Sequence, residues 1–267
     1  MTAEELFKAG QLTEAIAAQT DAVKHHPGDH GARLFLFELL VFAGDLKRAK
    51  KQLDVFSYDE PELEEARLTY LQLVEAEQAR RKLFESGVEP KFFEDPPDHV
   101  RLRLEAIAKL REQNPAAAME LLAQAEPVTP MVACQLNEVS HEIIRDADDV
   151  FGTVLEVLAR GHYYWLPLEQ TVSLSFKAPR FPRDLYWRPA QIETTVAVGE
   201  GFLSALYPGT YQSADDELRL GRKTDWVGGD AAPVTGLGGR TFLAGEDAVG
   251  LVEWRDFARG ELTMPEA

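Results

Sequence analysis

One cysteine in 267 residues, Cys134, leaves no internal disulfide to be made. It sits in Met131-Val132-Ala133-Cys134, an apolar stretch read as helical, which predicts a buried, inert thiol. No run approaches the roughly 20 apolar residues of a membrane span. The opening Met1-Thr2-Ala3-Glu4-Glu5 lacks the basic and apolar regions of a secretory leader. Both absences predict a cytoplasmic protein. Cations are scarce as well, with 28 Lys and Arg against 45 Asp and Glu and a formal net charge of −17. A general affinity for nucleic acid needs clustered Lys and Arg to meet phosphates, so none is expected. The longest basic run, Arg80-Arg81-Lys82, shares a helix with Glu75, Glu77 and Glu85 and reads as a solvated face.

Motifs for chemistry are missing too. The six histidines (His25, His26, His30, His99, His141 and His162) are scattered, and none falls in a metal-ligand spacing such as His-Glu-x-x-His. There is no Gly-x-Ser-x-Gly elbow. Gly236-Leu237-Gly238-Gly239-Arg240 lacks the third glycine of a dinucleotide loop and no helix follows it, so a turn between strands is expected. No catalytic residue, metal or cofactor is predicted.

What is present is a repeat. Ala9-Gly10-Gln11-Leu12 followed by Ala15 recurs as Ala43-Gly44-Asp45-Leu46 followed by Ala49, 34 residues later, and Pro27 and Pro61 stand at the same offset. That is the tetratricopeptide period, at which helix–turn–helix units stack. Gly10 and Gly44 are placed at the bend between the helices of a unit. Ala15, Ala22 and Ala49 fall on the buried stripe of the second helices, and the prolines mark helix ends. Ala118-Met119, Ala125 and Pro130 match Ala15-Ile16, Ala22 and Pro27, 103 residues away, close to three periods. A third, degenerate unit is therefore expected, with Glu62–Ser86 as one long helix before it.

The pattern stays helical to about Ala159 and changes after Gly161. Val172–Phe176 alternates with period two, and Ile192–Val198, Thr241–Leu243 and Val249–Trp254 read as further strands. All four tryptophans (Trp165, Trp187, Trp226 and Trp254) lie in this half. The fold class is α+β and multidomain: tetratricopeptide-like helical repeats over 1–140, then a mainly β carboxy-terminal domain over 141–267. Arg145-Asp146-Ala147-Asp148-Asp149 is the densest polar cluster. A metal site or carboxylate pair is one use, but Asp149 directly before Val150–Leu155 reads as the N-cap of a helix with acidic neighbours.

Taken in order, Arg145–Asp149, Leu155–Leu158, Gly161–Pro167, Arg183–Ala190, Leu206–Tyr211, Arg219–Trp226 and Gly236–Phe242 resemble the ImpE/SciE/TagJ family, accessory proteins of bacterial type VI secretion. Phe151 and Pro189 are minor departures. The family motif falls here on Arg145, Asp146, Asp148, Asp149, Trp165, Asp184, Trp187, Arg222, Asp225 and Trp226. The resemblance implies a non-enzymatic adaptor that binds a helix of the small contractile-sheath subunit, a TssB-like protein. It also implies a link to the ClpV-type AAA+ unfoldase that recycles the sheath.

The register of the repeats directs Glu4, Phe7, Lys8, Leu34, Glu38 and Val41 to the inner face of the array. Such a mixture of apolar and charged groups suits an amphipathic helix, although Phe7, Leu34 and Val41 equally suit a core. Two alternatives remain: a stand-alone chaperone for secreted effectors, and an enzyme with Asp146, Asp148, Asp149, Asp184, Arg222 and Asp225 around a pocket. Geometry separates the last from a scaffold. Groups paired together and sealed mean scaffold; groups lining an open cleft mean a site.

Overall fold

In a computed structural model, residues 1–260 are described. The first four helices form two hairpins: α1 (Ala3–Lys8) with α2 (Leu12–His25), and α3 (His30–Phe42) with α4 (Leu46–Asp54). Gly10 and Gly44 make the bends with φ of +80° and +75°, a conformation in which a Cβ is strained. The third bend carries Gln113 at φ +57°, 103 residues after Gly10. It joins α6 (Asp98–Arg111) to α7 (Pro115–Ala125), so a third hairpin keeps the left-handed turn while its glycine is lost. The residue after two of these bends caps the next helix: Asp45 accepts from the Arg48 amide at 3.0 Å, and Asn114 from that of Ala117 at 3.2 Å. Ala15, Ala49, Ala118 and Ala125 are fully buried and Ala22 half-buried.

The long helix α5 (Pro61–Ser86) runs between the second and third hairpins. Pro61 opens it, since a missing N–H costs nothing in the first turn, and does not close α4. Gly87 ends it at φ +78°, sending its amide back to the Leu83 carbonyl at 3.2 Å.

The helical reading of 134–159 is corrected by the structure. Three short strands, β1 (Cys134–Leu136), β2 (Val139–His141) and β3 (Ile144–Asp146), lead to β4 (Val154–Ala159), which pairs with β5 (His162–Pro167). Every residue of β4 except the last is buried, Glu156 included. A strand covered on both faces shows no period-two alternation, which is why Val-Leu-Glu-Val-Leu-Ala passed for helix. Cys134 is buried as expected, but on a strand, and burial pushes its thiol up to about 11. Asp149 caps no helix. A turn through Gly152 at φ +55° follows it, and Asp149 pairs with Val234.

The remaining strands are β6 (Thr171–Phe176), β7 (Trp187–Thr194), β8 (Val198–Ser204), β9 (Thr224–Gly229), β10 (Ala232–Gly238), β11 (Thr241–Ala244), β12 (Asp247–Gly250) and β13 (Asp256–Arg259), with a one-turn helix α8 (Asp216–Arg219). The expected strand Ile192–Val198 covers the end of β7, the hairpin turn at 195–197 and the first residue of β8. Val249–Trp254 splits into the end of β12 and a 3-10 turn. Gly236 and Gly238 lie in β10, leaving Gly239 and Arg240 to connect it to β11.

An antiparallel sheet in the order β2-β1-β13-β6-β7-β8-β4-β5 faces a small sheet β12-β11-β3, and β9–β10 forms a separate ribbon. Leu155, Leu166, Leu174, Ile192 and Phe257 of the large sheet pack with Ile144, Phe242 and Ala244 of the small one. A second core joins the two halves: Phe37, Leu40 and Phe42 of α3 and Leu73 and Val74 of α5 pack with Tyr186, Trp187, Leu206 and Leu220.

Candidate functional site

Two buried arginines organise the contact between α5 and the sheet. Arg80 leaves α5 and meets Glu156 of β4 with two parallel bonds, Nε to Oε1 at 2.8 Å and Nη2 to Oε2 at 2.7 Å. Its Nη2 also donates to the Leu206 carbonyl at 2.7 Å. This corrects the solvated-face reading of Arg80, which is 2 % exposed; only Lys82 of that run faces solvent. Arg240 approaches Glu156 from the other side at 2.6 Å, bridges to Asp146 at 2.6 Å and donates to the Val154 carbonyl at 3.0 Å. Its guanidinium also lies 4.2 Å above the Phe151 ring. The Tyr163 hydroxyl donates to Glu156 and receives the Trp165 indole N–H at 2.6 Å. Asp146 further accepts the Tyr207 hydroxyl at 2.7 Å and the Asp148 amide at 2.8 Å.

The electrostatics follow from enclosure. Burial opposes the Glu156 charge, yet Arg80 and Arg240 override it and hold its carboxyl below the ordinary range. Asp146 has a single cation for a complete loss of solvent, and burial keeps its carboxyl raised. Among the described residues no cation is ion-paired with Asp148. Its oxygens accept the amides of Val150 at 2.8 Å and Gly236 at 2.9 Å, and burial together with Asp146 pushes it up to about 7. Glu156 and Asp146 are sealed and paired with arginine, while Asp148, held by backbone amides, reaches the floor of a cavity beside the β9–β10 ribbon, so the seam works as a clasp between α5 and the sheet.

The residues singled out from the sequence separate into groups. Asp146, Asp148 and Asp149 come together with β10 and Arg240, and the backbone amide and carboxylate of Asp149 grip Val234 at 2.9 and 2.8 Å. Arg145 is half-buried and donates to the Asp146 carbonyl at 3.1 Å. Trp165 and Trp187 are enclosed, and Trp187 lies tilted against Phe37 with ring centroids 6.4 Å apart. Asp184 folds the turn Pro182–Leu185 by accepting the amides of Arg180 and Phe181 at 2.9 and 3.1 Å. Arg222 reaches the first hairpin, where it donates to the carbonyls of Phe7 at 2.6 Å and Lys8 at 3.1 Å and so caps α1. Asp225 and Trp226 stand exposed on β9. Asp184, Arg222 and Asp225 therefore do not converge with the other three on one cleft.

The inner-face set divides as well. Glu4 and Lys8 are exposed, and Phe7 and Leu34 are half-buried, Phe7 against Phe35 at 6.2 Å and Phe42 at 6.0 Å. Val41 is fully buried. Glu38, 3 % exposed, is ion-paired with Arg183, and burial prevails over that cation to raise its carboxyl to about 7. The reason is that the carboxy-terminal half covers the face on which α3 was expected to meet a partner: Tyr186 packs edge-on against Phe42 at 5.4 Å, and Tyr211 fills the space beside Gly44. Glu38 and Val41 are inaccessible as a result. Sequence reasoning missed Arg80, Glu156, Arg183 and Arg240; a charge in a half-apolar segment signals the surface by default, and only the pairing in space reverses that.

A helical-repeat array clasped onto an antiparallel β domain by buried arginine–carboxylate pairs defines a two-part α+β scaffold. Residues 6–73 match the tetratricopeptide repeat, and residues 138–258 match the family described as ImpE protein. The chain is 36% identical over 258 residues to the type VI secretion system accessory component TagJ of Pseudomonas aeruginosa, covering 93% of this chain and 88% of that one. It belongs to the ImpE/TagJ family of type VI secretion accessory proteins. A crystal structure of a Vibrio parahaemolyticus protein, 26% identical, has the same fold with a TM-score of 0.88 over 97% of both chains. Among the described residues no helix is long and apolar enough to cross a membrane.

Proposed function

We propose that the chain is a non-enzymatic, cytoplasmic adaptor of the type VI secretion system. In this reading it binds a helix of the small contractile-sheath subunit and connects it to ClpV-driven recycling. The observation that carries the reading is the seam itself: Arg80, Glu156, Arg240 and Asp146 are paired with one another in holding the helical repeats to the β domain, which leaves outer surfaces for recognition. Family membership and the tetratricopeptide match point the same way. With Glu38 and Val41 enclosed, the candidate contact from the first hairpin reduces to Glu4 and Lys8 on α1 with the edge of Phe7. Exposed charges at such a rim select a partner by complementary charge.

The test is direct titration of a synthetic amino-terminal helix of the small sheath subunit against the full chain. Wild type is compared with a Glu4→Lys/Lys8→Glu variant whose fold is checked by circular dichroism. Saturable binding with about a ten-fold weakening in the variant is expected, equivalent to ~1.4 kcal/mol. No saturable binding by wild type would overturn the sheath reading. Equal affinities would remove α1 from the contact. A parallel titration with the ClpV-type unfoldase tests the second partner.

A further inference from the structure

A cavity of about 410 Å³ opens where α5 and α6 meet the β9–β10 ribbon, walled by Phe84, Ile107, Leu110, Phe151 and Leu237. Its size is that of pockets which enclose a bulky side chain or small ligand. The floor is closed by Asp148, whose two oxygens each accept a backbone amide. At the mouth stand Val227, 52 % exposed, and Thr235, with Trp226 next along the strand at 41 % exposed. Large apolar side chains held this far out on a ribbon are the common rim of a recognition site.

One charge at the mouth has a fixed position. Arg111, at the end of α6, donates Nη1 to the Leu83 carbonyl at 3.1 Å and packs its guanidinium against Gly87, where a Cβ would lie 2.5 Å from Nη2. Among the described residues no carboxylate lies within ion-pair distance of it, although the chain carries a net charge of −17. A cation pinned by a helix end beside an apolar cavity, near enough to join Lys109 in lowering the Glu112 carboxyl but outside ion-pair distance of any carboxylate among the described residues, is complementary to a carboxylate from outside. We propose that this cavity is an anchor pocket for a partner protein: it receives one large apolar side chain, and Arg111 holds a carboxylate adjacent to that side chain. The proposal rests on the adaptor reading and specifies the chemistry it recognises. The pocket exists only where α5 and α6 are docked onto the ribbon, so it reports the assembled state of the molecule.

The probe is N-acetyl-tryptophan, which carries a large apolar group and a carboxylate, with N-acetyl-tryptophanamide as its uncharged counterpart. Binding to the full chain is followed by amide and indole NMR shifts. Saturable shifts are expected at Thr235, Gly236, Leu237 and the Trp226 indole, with the amide probe up to about five-fold weaker. Arg111→Ala, at an exposed position, is expected to erase the difference between the probes. Thr235→Phe, which fills the mouth, is expected to abolish both. Shifts that do not saturate, or that fall elsewhere and survive Thr235→Phe, overturn the pocket. The sheath helix supplies a second arm. A ten-fold loss of its affinity in Thr235→Phe supports the anchor, and unchanged affinity refutes it while leaving the adaptor reading intact. If wild type binds the probe here but not the sheath helix, the sheath reading fails and the pocket stands.

Discussion

Replacing Arg240 with methionine removes the only cation paired with Asp146 among the described residues, while leaving Glu156 paired with Arg80. The side chains of Asp146 and Arg240 are 0% and 1% exposed, so the stranded charge has no water to turn to. One-sided removal of a buried pair costs about 3–5 kcal/mol. For a chain of this size that is a fall of roughly 6–20 °C in Tm. The loss has a pH signature. The Asp146 carboxyl is already raised by burial, and losing Arg240 raises it further. A carboxyl whose folded value lies above its unfolded value carries a penalty at high pH that disappears as the group takes up its proton. The gap between Arg240→Met and wild type should therefore narrow as pH falls from 8 toward 5. Adding Asp146→Asn removes the stranded charge and should recover part of the loss at pH 8. Guanidinium unfolding followed by far-ultraviolet circular dichroism measures all three. A loss under about 1 kcal/mol at pH 8, or one that does not change with pH, would refute the clasp as described.

Ala15→Phe should overpack the α2 contact and cost about 1–3 kcal/mol, read as a shift of the denaturation midpoint. Gly44→Ala combines a φ of +75° with the Tyr211 ring 2.4 Å from the new Cβ, and should cost at least ~1–2 kcal/mol by the same measurement. At the third bend the change runs the other way: Gln113→Gly relieves a left-handed residue and should add up to about 1 kcal/mol. Glu38, raised to about 7, should make wild type gain stability as pH falls from 8 through 7 toward the ordinary carboxyl range. Glu38→Gln should flatten that rise, and an unchanged slope would assign it to another group.

The legible parts of the fold were those in which one residue type does one job. Gly10 and Gly44 mark the first two bends because few residues tolerate positive φ, and the alanines at the same offset mark close helix contacts. Where the bend is made by Gln113, the third unit is visible through Ala118-Met119, Ala125 and Pro130 and not through its turn. The carboxy-terminal strands show a graded signal. β6 alternates and is easily read, whereas β4 is covered on both faces and imitates a buried helix. The candidate site was half legible. Asp146, Asp148 and Asp149 stood out as a cluster, but their partners lie far along the chain. Arg240 is 94 residues from Asp146 and Arg80 is 76 from Glu156, and no local pattern connects such pairs.

The covering of the repeats by the second half also has a consequence in time. Arg222, which closes α1, and Tyr186 and Trp187, which cover Phe37 and Phe42, are made long after the helices they protect. At translation rates of about 5–20 residues per second, the 180 residues from Phe42 to Arg222 take roughly 10–40 s to emerge. For that interval the nascent repeats present an aromatic face with no lid. Helical hairpins of low contact order form in far less time, so the half-made chain is an ordered object with a sticky side. Synthesis of this protein is therefore a window in which a chaperone, or a second nascent copy, competes with the chain's own unfinished half for the same surface.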